Sequence, residues 1–153
     1  IIFNVFRQKA ITAIFKEAQE KQVAIIVRLP LASGLLSGKL NGESKFAKND
    51  HRNFNRDGQE FNVGETFSGL PFEIGIELVE GLKNITPENL SQFALRWVLD
   101  FDAVTVVIPG SKNPQQVADN CVASALPPLT EEKHRTLSDY YFKDVSQHIR
   151  GKY

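Results

Sequence analysis

Val23-Ala24-Ile25-Ile26-Val27-Arg28, running straight into Leu29-Pro30-Leu31-Ala32-Ser33-Gly34-Leu35-Leu36-Ser37-Gly38-Lys39, is the stretch on which the fold turns. Its first half is β-branched and apolar without alternation, which predicts a strand buried on both faces, as in a parallel sheet covered by helices. Its second half is a glycine- and serine-rich turn. Two further runs have the character of the first: Ile1-Ile2-Phe3-Asn4-Val5-Phe6 and Ala103-Val104-Thr105-Val106-Val107-Ile108, the latter ended by Pro109-Gly110.

Between and after these strands the pattern is helical. Ile11, Ile14, Phe15 and Ala18 recur at i, i+3, i+4 and i+7, opposite Lys16, Glu17, Glu20 and Lys21. A helix is predicted from about Phe72 to Leu82, and another starts at Thr86-Pro87 and carries Leu90, Phe93, Ala94, Trp97 and Val98 on one face. Asn113-Pro114-Gln115-Gln116 supplies a cap, a first-turn proline and a glutamine three residues after the cap, opening a helix to about Ser124. Thr130-Glu131-Glu132 begins a terminal helix with acids in its first turn, and the last ten residues are expected to fray. Residues 40–71 are polar and aperiodic, too long for an ordinary connection, and are read as a lid or an irregular excursion. Strands alternating with helices imply an α/β fold with about three parallel strands, too few to close a barrel of about eight.

Bulk properties narrow the partners. Eighteen basic residues balance eighteen acidic ones, so no net field draws the chain toward nucleic acid or an anionic membrane, and no apolar run is long enough to span a bilayer. The single cysteine, Cys121, cannot form an internal disulfide, which points to a reducing, cytoplasmic setting. The chain opens on Ile1 inside a strand and contains no methionine, so it is expected to be a fragment, one partial domain over residues 1–153. One cysteine and three scattered histidines show no metal-ligand spacing.

Two segments that directly follow strands have the character of anion sites. In the turn from Pro30 to Lys39, glycines at 34 and 38 allow close backbone approach, Ser33 and Ser37 offer hydroxyls, and Lys39 adds a cation. The bland alternative is an ordinary serine-glycine turn. Gly110-Ser111-Lys112 leads to a helix start, whose amides and partial positive end favour phosphate, with Asp119 and Asn120 about a turn and a half on. Its bland alternative is a capped helix with solvated polar residues.

Taken together, Val27 to Lys39, the helix segment Ala94-Leu95-Arg96-Trp97-Val98-Leu99, and Val107-Ile108-Pro109-Gly110-Ser111-Lys112 with Gln116 and Asp119-Asn120 resemble the aldo-keto reductase family, over nearly the whole chain. The two turns match the segments after that family's seventh and eighth strands. The resemblance implies the C-terminal part of a (β/α)8 TIM barrel and an oxidoreductase that uses NADPH to reduce a small-molecule carbonyl, aldehyde or ketone. It implies that Leu29, Pro30, Leu31, Ala32, Ser33 and Gly34, with Lys39 beyond, hold the pyrophosphate. Gly110, Ser111 and Lys112 would face the adenosine 2′-phosphate, and Gln116, Asp119 and Asn120 would surround the adenine. Gln116 stands where many members have arginine, which loosens the phosphate clamp and the preference for NADPH over NADH, and Asp119 stands where glutamate is usual.

No catalytic residue is assigned. The family's aspartate, tyrosine, lysine and histidine all lie before its sixth strand, and the resemblance implies that this chain begins within that strand. Tyr140, Tyr141, Tyr153, His51, His134 and His148 are expected to be surface residues, and Trp97 a core residue. In the long segment, Arg52 and Arg56 either close over a dinucleotide phosphate or stay solvated, while Phe46, Phe54, Phe61 and Phe67 are expected to pack around the substrate rim. Two other readings stand beside the enzyme. One is a non-catalytic dinucleotide-binding module, as the family-related channel β-subunits are; the other is an inactive half-barrel that self-associates through exposed strand edges.

Overall fold

The structure, a computed structural model, describes residues 1–86 and 89–151. Its sheet pairs β1 (Ile25–Val27) in parallel with β2 (Val104–Val107). The register slips by one residue between Ile25 and Ile26, where Thr105 is inserted and its Oγ1 accepts from the Ile25 amide at 3.0 Å. On the other side of β1 the N-terminal segment runs parallel to it, bridged at Ile2 and Arg28, with the Arg28 amide donating to the Ile1 carbonyl at 2.9 Å.

The strand expected over residues 1–6 is therefore cut to one bridge to the sheet, at Ile2, followed by a local bridge between Asn4 and Arg7. Asn4 ends it: its side-chain oxygen accepts from the Phe6 amide at 2.9 Å, and its carbonyl accepts from the Arg7 amide at 2.8 Å, turning the chain. An asparagine side chain that bonds its own backbone competes with a sheet ladder.

Burial on both strand faces is also corrected. Ile25 and Val27 are buried, but the opposite face leaves Ile26 51%, Val106 42% and Ile108 54% exposed, so helices cover one face only. The helices on that side are α1 (Lys16–Glu20), entered through a π-helical turn at Ile11–Phe15, then α3 (Phe72–Lys83) and α4 (Leu90–Leu99), with the short α2 (His51–Phe54) in the long connection. α1 buries less than its periodicity predicts: Phe15 is its one fully buried apolar residue, and Ile14 is exposed. The wide turn shifts the later residues off the 3.6-residue stripe.

Trp97 on α4 is buried and stacks on Phe3 with ring centroids 4.9 Å apart; Phe3 in turn meets Phe15 at 4.8 Å and Phe101 at 5.2 Å edge-on. Among the described residues the indole N–H finds no acceptor, and ring packing surrounds it. α4 starts from Asn89, whose side chain accepts from the Gln92 amide, while Thr86 bonds back to the Leu82 carbonyl at the end of α3. The expected proline start at Pro87 lies outside the described residues.

After β2 come α5 (Pro114–Val122) and α6 (Glu131–Tyr140), both capped as the sequence predicts: Asn113 accepts from the Gln116 amide, and Thr130 from the Lys133 amide. Such caps are worth about 1 kcal/mol each. The expectation of a frayed terminus fails over the described part. A π-helical turn at Tyr141–Val145 buries Tyr141 and Val145. Beyond it, Arg150 donates to the carbonyls of Gly69 at 3.0 Å and Leu70 at 3.2 Å and pairs with Asp57 at 2.6 Å.

Three residues expected at the surface are drawn in: Tyr141, buried as described, and two that are tied by hydrogen bonds. His134 sits 2.9 Å from the Asp100 carboxylate, which Arg96 and the Leu129 amide also engage at 2.9 Å. Tyr140 donates to the Leu78 carbonyl at 2.7 Å, and burial pushes its phenol up to about 12. Tyr153 lies outside the described residues. No described helix is long and apolar enough to cross a membrane.

Candidate functional site

Parallel pairing of β1 and β2 delivers both predicted anion segments to one end of the sheet. The Ile108 amide donates to the Val27 carbonyl at 2.9 Å, so the chain enters Pro109-Gly110 beside the place where β1 enters Arg28-Leu29. Neighbouring strands lie about 4.8 Å apart. The turn from Leu29 to Gly34 and the turn from Gly110 to Lys112 therefore leave adjacent strands at their carboxyl ends.

The first turn has an uncommon backbone. Leu29, Ala32 and Ser33 adopt φ of 54°, 47° and 56°, and Gly34 follows at 100°. For residues with a Cβ this left-handed region costs about 1 kcal/mol each, so surrounding contacts must impose it. Those contacts come from two directions. From the N-terminal segment, the Asn4 side-chain Nδ2 donates to the Leu29 carbonyl and to Ser68 Oγ, each at 2.8 Å. From the long connection, the Phe67 amide donates to Ser33 Oγ at 3.1 Å, Ser33 Oγ faces the Glu65 carbonyl at 3.3 Å, and His51 Nε2 lies 3.4 Å from the same hydroxyl. Below the turn, Leu35 fills the groove at Gly75 of α3, where an added Cβ would come within 2.7 Å of it. Ser37 closes the segment by donating to the Gly34 carbonyl at 2.7 Å, and Lys39 is exposed beyond it. Both serine hydroxyls are thus engaged by the protein's own backbone.

The second segment is open. Residues 110–119 are all exposed, and a Cβ added at Gly110 would touch nothing within 4 Å. Gln116 reaches back to accept from the Lys112 amide at 2.6 Å, and Asn120 donates to Ser111 Oγ at 3.0 Å, so the turn and the first turns of α5 form one cluster. Asp119 accepts from the Gln115 side chain at 2.9 Å, and its carbonyl accepts from Gln92 of α4 at 3.1 Å. Gly110, Ser111, Lys112, Gln116 and Asn120 are brought together, with Asp119 on the α4 side of them.

Residues 40–71 are not a solvated excursion throughout. Thr66 to Leu70 are buried, Phe46 packs on Phe67 and Phe72, and Phe54 and Phe61 form a more exposed pair. Asp50 caps α2 and grips Arg52 through both carboxylate oxygens, Nε to Oδ1 at 2.9 Å and Nη2 to Oδ2 at 2.6 Å. This guanidinium holds the Asp50 carboxyl well below the usual carboxylate range. Arg28, leaving β1, makes a two-pronged pair with Glu65, which lowers the Glu65 pKa as well. The sequence reading missed Asn4 and Glu65, because each acts across tens of residues and lies in no motif, and it missed Asp50, whose cap on α2 and grip on Arg52 are local but fall in a stretch with no helical periodicity. Among the described residues no group of three or more His, Cys, Asp or Glu could hold a metal ion.

Comparison with known proteins places this geometry. The family model described as "Aldo/keto reductase family" matches residues 1–141. Aldo-keto reductase str7 of Strobilurus tenacellus is 30% identical over 124 residues, covering 79% of this chain and 34% of that protein. Aldo-keto reductase yakc [NADP(+)] of Schizosaccharomyces pombe is 27% identical over 107 residues, covering 70% of this chain and 30% of its own length. Among solved structures, the glycerol dehydrogenase AKR11B4 from Gluconobacter oxydans superposes with a TM-score of 0.73 at 24% identity, over 99% of this chain and 44% of that one. The holo form of aldo-keto reductase AKR11C1 from Bacillus halodurans gives 0.64 at 24% identity, over 91% and 40%. The chain thus spans about a third of the length of these curated relatives, and its fold is part of a (β/α)8 barrel. It belongs to the aldo/keto reductase family.

Proposed function

We propose that this chain is the dinucleotide-holding, C-terminal part of an NADPH-dependent aldo-keto reductase that reduces an aldehyde or ketone to an alcohol. The observation that carries the reading is the parallel pairing of β1 with β2, which sets two turns suited to anions at the same end of adjacent strands. Residues present there fit the cofactor's chemistry. The turn from Leu29 through Pro30, Leu31, Ala32 and Ser33 to Gly34 would receive the pyrophosphate, with Lys39 beside it. The open approach at Gly110, the exposed Ser111 and Lys112, and the start of α5 would take the 2′-phosphate. Gln116, Asp119 and Asn120 would border the adenine. Bound NADPH supplies the hydride; the residues of this chain bind and orient it, and none of them is assigned the proton transfer. Residues 40–71 serve as the covering segment and substrate rim. The exposed thiol of Cys121 suits a reducing, cytoplasmic compartment. The name of the Schizosaccharomyces pombe relative, which includes NADP(+), supports the choice of cofactor.

Titrating the protein with NADPH and with NADH, followed by nicotinamide fluorescence, tests this. Losing one charge-assisted phosphate contact costs about 1.5 kcal/mol, roughly ten-fold in affinity, so Lys112→Ala should weaken NADPH about ten-fold and leave NADH nearly unchanged. Equal loss for both dinucleotides, or none for either, would remove Lys112 from the 2′-phosphate.

A further inference from the structure

The turn that is to receive the pyrophosphate holds three non-glycine residues in the left-handed region, and one polar cluster of the long connection stands directly over it. Arg52 is the centre of that cluster. Its Nε and Nη2 are bound by Asp50, its Nη1 points to the Ser33 carbonyl at 3.5 Å, and its guanidinium carbon lies 4.3 Å from the centre of the Phe46 ring. A Cβ built on Gly34 would lie 3.6 Å from the same Nη1, so the guanidinium covers both Ser33 and Gly34. With every nitrogen engaged, and its side chain only 14% exposed, Arg52 is a strut between α2 and the turn. Asp50 fixes the strut, and its position at the start of α2 is fixed in turn by accepting the Arg52 amide at 2.9 Å.

We propose that Asp50 is a positioning residue for the dinucleotide: by clamping Arg52 over Ser33 and Gly34 it holds the left-handed turn in the shape that receives the phosphates. The proposal rests on the function proposed above. It assigns the arginine the opposite role from a direct phosphate ligand, and the two roles differ in sign. If Arg52 were a phosphate ligand held in reserve, removing the charge of Asp50 would free it and tighten binding. If it is a strut, the same change loosens the turn, and binding weakens because the ligand must now order it.

Asp50→Asn decides between them, since asparagine keeps the cap on α2 and removes only the charge. Two quantities are read on the protein: amide hydrogen exchange over residues 31–36, and NADPH affinity by nicotinamide fluorescence. The strut predicts exchange at 31–36 faster by several-fold, exchange within α3 unchanged, and affinity weaker by about ten-fold. Arg52→Lys, which keeps a cation but cannot span the Asp50 carboxylate and the Ser33 carbonyl together, should reproduce both effects. Tighter or unchanged NADPH binding with unchanged exchange overturns the strut itself. Faster exchange with unchanged affinity overturns the proposal differently, because the turn is then braced as described but is not where the phosphates sit.

Discussion

Asn4 joins the N-terminal segment to the turn from Leu29 to Gly34, and Asn4→Leu isolates what that junction is worth. Its side chain is fully buried, donates to the Leu29 carbonyl and Ser68 Oγ, and accepts from the Phe6 amide. Leucine has the same branching and number of heavy atoms, so no cavity opens, and its bulkier methyls can only add to the loss of hydrogen bonds. Three groups lose a partner. A buried polar group left unpaired costs about 1–3 kcal/mol. The Phe6 amide is buried and fixed in direction, so it takes the upper part of that range. The Leu29 carbonyl is partly buried, and the Ser68 hydroxyl can rotate, so both take the lower part. The sum is about 4 kcal/mol, from which leucine's greater hydrophobicity recovers about 1, leaving about 3 kcal/mol.

Urea unfolding reads this directly. Trp97 is the protein's single tryptophan and is buried against Phe3, so its fluorescence reports the core without a label. With a denaturant slope of about 2 kcal/mol per molar, the midpoint should fall by roughly 1.5 M at an unchanged slope. Such a loss is a large share of the roughly 5–15 kcal/mol by which domains are stable. A fall of less than about 0.5 M would mean that the three bonds contribute little, and that packing rather than Asn4 sets the geometry at Leu29.

Two further outcomes follow from the same contacts. Asp50 and Glu65 both have folded pKa values depressed by an arginine, below unfolded values of about 4, so the stability they contribute is present at neutral pH and is lost as pH falls from about 4 through the folded values. The urea midpoint should be lower at about pH 3 than at pH 7, and Asp50→Asn should narrow that gap; an unchanged gap would detach Asp50 from acid stability. At Gly69, where φ is +86° and an added Cβ would come within 2.8 Å of the Arg150 carbonyl, Gly69→Ala should cost about 2–3 kcal/mol and undock the C-terminal residues. Protease cleavage near Arg150 at native temperature measures this, and resistance equal to that of the parent chain would contradict it.

What the sequence disclosed and what it hid divide along the range of the interactions. α5 was readable because Asn113, Pro114 and Gln116 all act within one turn, and α6 because Thr130 caps it from the adjacent position. The strand cores at Ile25–Val27 and Val104–Val107 were readable from composition, but their exposed face was not, since what covers a strand is decided elsewhere in the chain. The docking of Arg150 on Gly69 joins residues 81 apart, and no local pattern marks either end. The site follows the same rule. The glycines at 34 and 38 marked a turn and drew attention to the right segment, yet the conformation that makes it unusual falls also on Leu29, Ala32 and Ser33, which no propensity would place in the left-handed region. Their geometry is imposed by Asn4 from one side and by Phe67, Glu65 and the Asp50–Arg52 pair from the other. A segment can therefore be recognised by its own residues while its working shape is encoded by others, and in this chain those others lie largely in the stretch that sequence periodicity left blank.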